Sequence, residues 1–466
     1  MKTSAIAAFL LSNSILGAQA IDRTKPPDTP AIPSYKLPPI TESKLPNGLS
    51  IVTAEDPRFP LVTVRLAFQA GSKSDPANLP GLSDSVATLL TQGTKTRTSR
   101  QIAEELASIG GTLAGRSTPD SLVVAGSSLA ENTPQLLSLL SDVVLQANFP
   151  DNEVALQKQN RKQLLLAERS ESAFLAREKM SEAVFGNHPY AHIAPTVESL
   201  DRMDQKTLIG FRDSYLTPGR AYLILIGRLP PRAELMKLIQ DRFGSWAQKP
   251  APAYSPVTPP ASKRQMILVD RPGSAQADIR VGMLSPTYKS PELFPLIVGS
   301  AILGGSADSR LFNDIREKRG YAYDAHTEFD RRQETGVFTS VTQVRNDVVE
   351  PAMQALFDDI SEMSKERVKA EELTDTKNYL SGSFLIRLEP QNGLADQLVN
   401  VKIMGLPNDY LETYTTRVRS VEPDQIEAAA KKYMAPDKSA IVVVGDASKI
   451  QKALEKFGPV KVTRAN

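Results

Sequence analysis

An internal repeat with a fixed offset of 218 residues most constrains how this chain can fold. The matched positions, whose numbers differ as 433 − 215, 436 − 218 and 445 − 227, are Tyr215 with Tyr433, Pro218 with Pro436, and Gly227 with Gly445. Around them both copies have a helical pattern, a proline turn, an apolar strand pattern and a second helical pattern. A shared order of elements is typical of a duplicated domain. The sequence therefore predicts two homologous domains in one chain.

Two proline-rich segments mark the borders of the repeated halves. Six prolines fall within residues 24–39, and five more fall within residues 250–260. Proline favours extended backbone, so both segments are predicted to be linkers. The predicted organisation is a lead-in over 21–40, an N-terminal domain over 41–247, a linker over 248–262 and a C-terminal domain over 263–466.

Each half opens with two strand patterns and continues mainly with helical ones. The strand patterns cover 49–53 and 62–68 in the first half, and 266–269 and 279–283 in the second. The short connections favour antiparallel pairing, with helices on one face of the sheet. The predicted fold class is α+β: two homologous domains, each a mostly antiparallel sheet covered by helices. Two such domains would enclose a chamber, where a substrate site is expected.

The first twenty residues have the three parts of a secretory signal peptide. These are Lys2, an apolar run over 5–16, and Ala18-Gln19-Ala20 as a cleavage site. No later segment reaches the roughly 18 consecutive apolar residues of a membrane-spanning helix, so no membrane anchor is predicted. We expect an exported protein, which in a Gram-negative bacterium would lie in the periplasm.

The composition excludes several kinds of chemistry. The chain has no cysteine, which excludes disulfides, thiolate metal sites and a cysteine nucleophile. A net charge of +2, with acidic and basic residues interspersed, gives no indication of a nucleic-acid partner. The histidines are His188, His192 and His326. Pro189 interrupts the i, i+4 pair, and we interpret the histidines as structural, with His188 tying down a loop.

Residues 309–323 read as a helix that ends and turns into a strand. Gly320 can take the left-handed conformation that ends a helix, and an alternating pattern with one buried face follows it. Arg316 then lies on the last helical turn and Tyr323 on the strand. A guanidinium and a phenol can both donate hydrogen bonds to a peptide carbonyl or its oxyanion. The alternative is an Arg316 salt bridge at a helix end, with Tyr323 in the core.

A second helical pattern, over 81–90, is the first helix of the first half. Its predicted buried stripe contains Leu82, Val86, Leu89 and Leu90. Another face carries Asp84, Ala87 and Thr88 at i, i+3 and i+4.

The segment from Leu79-Pro80-Gly81-Leu82 to Gln92-Gly93-Thr94-Lys95, with 99–111 after it, resembles the start of the inverted zinc peptidases (inverzincins) of the pitrilysin and mitochondrial processing peptidase family. In that family this helix carries H-x-x-E-H, which supplies two zinc ligands and the base that activates water. The resemblance puts Asp84, Ala87 and Thr88 at those places.

These side chains cannot supply two imidazoles and a base. The family's third ligand is a glutamate on a later helix, for which Leu164 or Leu165 stands here, with Glu168 one turn too late. We therefore predict that this chain binds no zinc.

The resemblance also gives Arg316 and Tyr323 a role. Family members carry an arginine and a tyrosine seven residues apart that reach across the chamber to the substrate. Two-chain members can divide the site, with zinc on one chain and this pair on the other. The resemblance implies a non-catalytic, substrate-binding subunit of a heteromeric peptidase, in a heterodimer or larger assembly with a zinc-bearing homologue, acting on unfolded peptides. The alternatives are a peptide-binding or scaffold protein with no catalytic partner, and an independent enzyme with unrecognised chemistry.

Overall fold

The computed structural model describes residues 36–250, 252 and 254–464. The predicted signal peptide over 1–20, and the lead-in as far as residue 35, lie outside the described residues. Among the described helices, none combines the length and the apolar character needed to cross a membrane.

The first half contains a six-stranded sheet with the order β1-β2-β6-β3-β5-β4. Neighbouring strands are antiparallel except for β2 and β6, which are parallel. The strands are β1 Ile40–Lys44, β2 Ser50–Glu55, β3 Leu61–Phe68, β4 Thr112–Ser117, β5 Leu122–Leu129 and β6 Ala221–Gly227.

The second half repeats this sheet with the order β12-β7-β11-β8-β10-β9. Here β7 is parallel to both β11 and β12, and the remaining pairs are antiparallel. The edge position that β1 fills in the first sheet is filled by β12, from the other end of the described chain. The strands are β7 Gln265–Asp270, β8 Gln276–Ser285, β9 Ala322–Asp330, β10 Gly336–Arg345, β11 Ala440–Gly445 and β12 Val460–Arg464.

The helices also follow the repeat. In the first half they are α1 Leu82–Leu89, α2 Ser99–Ser108, α3 Thr133–Leu145, α4 Asp151–Ser170, α5 Ser172–Phe185, α6 Val197–Arg202, α7 Gln205–Tyr215 and α8 Arg232–Phe243. In the second half they are α9 Leu293–Gly304, α10 Val349–Lys365, α11 Ala370–Leu388, α12 Gln391–Met404, α13 Tyr410–Arg419, α14 Pro423–Tyr433 and α15 Ala447–Glu455. A π-helical turn, Phe312–Lys318, takes the position of α2. The predicted α+β fold with two homologous, helix-covered sheets is confirmed.

The central strands are buried on both faces. Every residue of β11 is buried, and so is all of β6 except Tyr222. On one face of the first sheet, apolar residues pack against that half's own helices, including α1, α3 and α7. The sequence predicted helices on one face only. The unbroken apolar runs of β6 and β11 are the signal for strands covered on both sides.

The second covering layer comes from the opposite half of the chain. Leu394 and Leu398 of α12 join the same core as Ile224 and Ile226 on the first sheet. In the reciprocal arrangement, Leu175, Met180 and other residues of α5 pack on apolar side chains of β7 and β11. Each half therefore buries one face of the other's sheet, and neither sheet is fully covered without its neighbour.

Ion pairs cross the junction at several places. Arg65 on β3 is buried, and its guanidinium donates to Asp396 at 2.9 Å and to Asn392 at 3.0 Å. Elsewhere, Lys73 Nζ lies 3.0 Å from Asp120 Oδ1 and 3.4 Å from Glu334 Oε1. Lys73 thus joins a buried carboxylate of the first half to a carboxylate of the second.

Further hydrogen bonds extend from these two carboxylates. Asp120 accepts from the Gln333 amide at 2.9 Å and from the Tyr190 hydroxyl. Glu334 lies 3.2 Å from His188 Nε2 and accepts from the Tyr254 hydroxyl at 2.8 Å. We call this group the interdomain network; its members are Lys73, Asp120, His188, Tyr190, Tyr254, Gln333 and Glu334.

Candidate functional site

Helix α1 begins at a tight turn and points one face at α4. Gly81 precedes it with φ of +88°, and the Asp75 carboxylate accepts from the amides of Gly81 and Ser83, both at 2.8 Å. The predicted stripe with Leu82 and Val86 is buried. The turn and the cap fix which residues of α1 face α4.

On that face the structure places Asp84, half-buried, and Thr88, exposed, while Ala87 is buried against β4. Opposite them on α4 lies Arg161, whose guanidinium donates to Glu168 at 2.8 Å. Burial raises the pKa of Asp84; Arg161 acts in the opposite direction and Glu168 in the same one. One guanidinium therefore lies close to two carboxylates from two helices.

These residues do not fit a zinc ion. Ala87 offers a methyl group and Thr88 a hydroxyl, and Glu168 is already paired with Arg161. Leu164 is 52% exposed and Leu165 is 1% exposed, so an apolar side chain stands at each candidate place for the third ligand. Over the part of the chain that the structure describes, no group of three or more histidine or carboxylate side chains could hold a metal. A fixed guanidinium also disfavours a second cation beside it.

From the sequence, Glu168 was expected one helical turn beyond the position of the third zinc ligand. In the structure Glu168 lines the same cavity of about 580 Å³ as Asp84 and Thr88. It therefore reaches this site, but the side chains around it do not form a set of metal ligands. Sequence reasoning missed Arg161. The signal was its i, i+7 spacing from Glu168, which places both side chains on one face of a helix.

Replacing Arg161 with methionine is expected to lower the free energy of unfolding by about 1–2 kcal/mol, because Glu168 loses its ion-pair partner and Asp84 loses a neighbouring positive charge. Urea unfolding at pH 8 measures this. Adding Asp84→Asn to Arg161→Met should recover part of the loss. Gln163→Met, on the exposed face of the same helix, is the control. Equal stability of the Arg161 and Gln163 variants would contradict this role for Arg161.

A second cavity, of about 460 Å³, lies on the other side of Asp84 and Arg161. It is lined by residues of both halves, among them His192 from the first and Asp330 and Arg332 from the second. Sequence reasoning missed Arg332, which is buried and donates to the Tyr190 carbonyl at 3.1 Å. The space beside α1 is therefore closed by the second half of the chain.

The Arg316–Tyr323 pair lies on the π-helical turn and β9. Gly320 has φ of +62°, and the Tyr321 amide donates to the Ile315 carbonyl at 3.0 Å, which closes the turn. The Arg316 guanidinium carbon lies 4.6 Å from the centre of the Phe312 ring and 4.8 Å from that of Tyr323. Stacking between two aromatic rings fixes the orientation of the guanidinium.

Tyr323 is 84% exposed, so the alternative interpretation that it finishes the core is wrong. The strand pattern around it is only partly buried, and Ala325 is its buried residue within β9. Arg316 Nε lies 3.3 Å from Glu317, which is an exposed contact of little energetic weight. Among the described residues, the Tyr323 hydroxyl has no hydrogen-bond partner. Neither Arg316 nor Tyr323 lines the two cavities beside Asp84.

His188 and His326 are held in hydrogen bonds or ion pairs, and His192 lines the cavity of about 460 Å³. His188 accepts from the Tyr190 amide at 3.1 Å, as expected for a residue that ties down its loop. Burial lowers the pKa of His188, which favours the neutral ring in the interdomain network. His326 lies beside Asp324 and Glu328 on β9.

Two family models match adjoining parts of the chain. One, described as insulinase (peptidase family M16), matches residues 50–194, and the other, described as the peptidase M16 inactive domain, matches residues 202–380. Together they cover most of the described fold. The chain belongs to peptidase family M16. The predicted resemblance to the pitrilysin group is thereby confirmed.

Relatives of this M16 chain match it over nearly their whole length. An uncharacterized zinc protease of Rickettsia bellii is 28% identical over 74% of this chain and 83% of its own, and one of Bacillus subtilis is 22% identical over 84% and 95%. The structure of a peptidase M16 inactive domain from Pseudomonas fluorescens is 25% identical, with a TM-score of 0.82, over 87% of this chain and 98% of that one. A Helicobacter pylori protease shares the fold at 17% identity, also with a TM-score of 0.82, over 88% and 100%.

Proposed function

We propose that this M16 chain is the non-catalytic, substrate-binding subunit of a heteromeric zinc peptidase whose partner subunit holds the metal. The observation that carries the proposal is that Asp84, Ala87 and Thr88 stand in place of the expected ligand set on α1, while nearby Arg161 donates to Glu168 at 2.8 Å. Within this chain the arrangement favours an internal ion-pair cluster over a metal centre.

The chain's contribution to the shared site would come from Arg316 and Tyr323. Two rings stack on the guanidinium, whose Nε lies 3.3 Å from the exposed Glu317, and Tyr323 beside it is 84% exposed. Both groups can donate a hydrogen bond to the carbonyl oxygen of a bound peptide and thereby orient it. The turn that carries them is ordered by backbone bonds before substrate binds, so little orientational freedom remains to be lost.

The substrates in this proposal are unfolded peptides, and the compartment is the periplasm, which the predicted signal peptide supports. The partner is a homologous M16 chain that carries H-x-x-E-H. No nucleic acid, membrane anchor or further cofactor is part of the proposal.

The test is to purify this chain alone and together with a co-expressed M16 homologue that carries H-x-x-E-H. We expect less than one tenth of an equivalent of zinc and no cleavage of an unfolded peptide from the isolated chain, and cleavage from the pair. Metal content is measured by mass spectrometry and cleavage with a fluorogenic peptide. One equivalent of zinc together with peptide cleavage in the isolated chain would refute the proposal.

The second candidate is a peptide-binding or scaffold protein without a catalytic partner. The observation in its favour is that Arg316 and Tyr323 line neither cavity beside Asp84. Peptide binding by the isolated chain, with no cleavage and no association with any H-x-x-E-H homologue, would favour this candidate over the first.

A further inference from the structure

A third cavity, of about 540 Å³, lies wholly within the second half and is separate from the surroundings of Asp84. Its walls come from the loop after β8, the start of α9, the loop before α13, α13 with the loop after it, and the start of α14. The residues that matter here are Tyr288, Lys289, Phe294, Tyr410 and Arg417.

The walls of this cavity are aromatic. The ring centres of Phe294 and Tyr410 are 6.2 Å apart, and Tyr414 lies behind both, 5.5 Å from Phe294. Leu406 and Val421 extend the apolar surface. Aromatic walls in such tilted contacts favour a flat apolar group inside the cavity.

The charges at the cavity are positive. The Arg417 guanidinium carbon lies 5.7 Å from the ring centres of both Phe294 and Tyr410. Over the described residues, neither Arg417 nor the exposed Lys289 has an acidic partner, and no aspartate or glutamate lines the cavity. The neighbouring Glu292 is occupied, since it accepts from Lys432 at 2.9 Å and from the Tyr433 hydroxyl.

Two further hydrogen-bond donors, Arg331 and the Tyr410 hydroxyl, lie at or behind the cavity wall. Arg331 has its guanidinium carbon 5.6 Å from the Tyr288 ring centre, behind the wall, and has no close ion pair among the described residues. Tyr410 is 3% exposed, and its hydroxyl has no hydrogen-bond partner in the described part of the chain. Tyr410 lines the cavity, so an acceptor bound there could take a hydrogen bond from its hydroxyl.

We propose that this cavity binds a carboxylate joined to a flat apolar group. The carboxylate would accept from Arg417, Lys289 and the Tyr410 hydroxyl, while the apolar group would lie against Phe294 and Tyr288. A free aromatic acid and the C-terminal aromatic residue of a peptide share this chemistry. The site involves neither Arg316 nor Tyr323, so it stands independently of the peptidase proposal.

Calorimetric titration of the full chain with N-acetylphenylalanine tests the proposal. We expect saturable binding, at least tenfold tighter than that of N-acetylphenylalaninamide, which keeps the ring and lacks the charge, and than that of acetate, which keeps the charge and lacks the ring. Equal binding of the acid and its amide, or no saturable binding of the acid, would overturn the proposal.

Variants locate the binding site. Arg417→Gln is expected to weaken binding of the acid about tenfold or more, and Tyr410→Phe by several-fold. Arg419→Gln, exposed on the same helix and outside the cavity, should leave binding unchanged. If Arg417→Gln unfolds, Lys289→Gln on the exposed loop replaces it, with several-fold weakening expected. Unchanged binding in Lys289→Gln and Tyr410→Phe would place the acid elsewhere and contradict the assignment.

The two sources of the carboxylate are distinguished with a tetrapeptide that ends in phenylalanine. Tighter binding of the free-acid peptide than of N-acetylphenylalanine supports the site as a reader of peptide C-termini. Equal binding of the two supports a small aromatic acid as the ligand. In both cases amidation of the peptide C-terminus is expected to weaken binding at least tenfold.

Discussion

Arg316→Ala is expected to lower kcat/KM of the reconstituted peptidase pair by about two to three orders of magnitude, the usual effect of losing a donor to a developing oxyanion. Association of the two subunits should be unchanged, because the contacts recorded for the Arg316 side chain lie within its own turn and β9: an exposed pair with Glu317 and stacking on Phe312 and Tyr323. Initial rates with a fluorogenic peptide and analytical ultracentrifugation measure the two quantities.

Two further variants, Tyr323→Phe and Lys318→Ala, test the same role. Tyr323→Phe removes one hydroxyl and keeps the ring that stacks on Arg316, so a smaller fall in kcat/KM, of about one to two orders of magnitude, is expected. Lys318→Ala, exposed on the same π-helical turn, is the matched control and should leave turnover within about twofold of wild type. Full activity of the Arg316 and Tyr323 variants in an associated pair would remove the pair from the site and favour the scaffold alternative.

Lys73→Met is expected to lower the free energy of unfolding by about 3–5 kcal/mol. The Lys73 side chain is 10% exposed, and its ammonium group lies between Asp120, whose side chain is 2% exposed, and the partly exposed Glu334. Methionine fills similar space without charge, so the buried Asp120 carboxylate would lose the cation paired with it. Urea unfolding followed by circular dichroism at pH 8 gives the change in free energy.

Lys206→Met provides the matched surface control, since Lys206 is exposed on α7; a change within about 0.5 kcal/mol is expected there. Hydrogen exchange gives a second readout. The Gln333 amide donates to Asp120 across the junction, so its protection should fall in Lys73→Met. A Lys73 variant no less stable than the Lys206 variant would show that the interdomain network does not hold the halves together.

Much of the fold follows from local patterns in the sequence. The repeated strand, proline and helix signals predicted two homologous α+β halves because those signals depend on neighbouring residues and survive duplication. The turn at Gly320 was likewise predicted from the sequence, since a left-handed backbone favours glycine. The packing of α5 on the second sheet and of α12 on the first sheet could not be predicted from the sequence. It depends on which sheet an apolar helix face meets, and periodicity shows that a face is apolar without identifying its partner.

The candidate site also has features that the sequence predicted and features that only the packing revealed. The residue types at 84, 87 and 88 led to the prediction that this chain binds no zinc, because ligand chemistry requires particular side chains. The guanidinium at that place was not predicted, since only the packing of α1 on α4 brings Arg161 close to Asp84. The sequence left open whether Tyr323 is exposed or in the core, because an alternating pattern identifies the two faces of a strand, while the end of the covering helix layer decides where burial stops.

The sequence by itself determined the duplication, the α+β class, membership of the M16 family and the absence of the expected ligands on α1. These depend on residue identity and on short-range spacing. The tertiary structure alone decided that each half covers the other's sheet, that Arg161 of α4 lies near Asp84 of α1, and that Lys73 links the halves. These depend on contacts between residues far apart in the chain, and such contacts exist only once the core is packed.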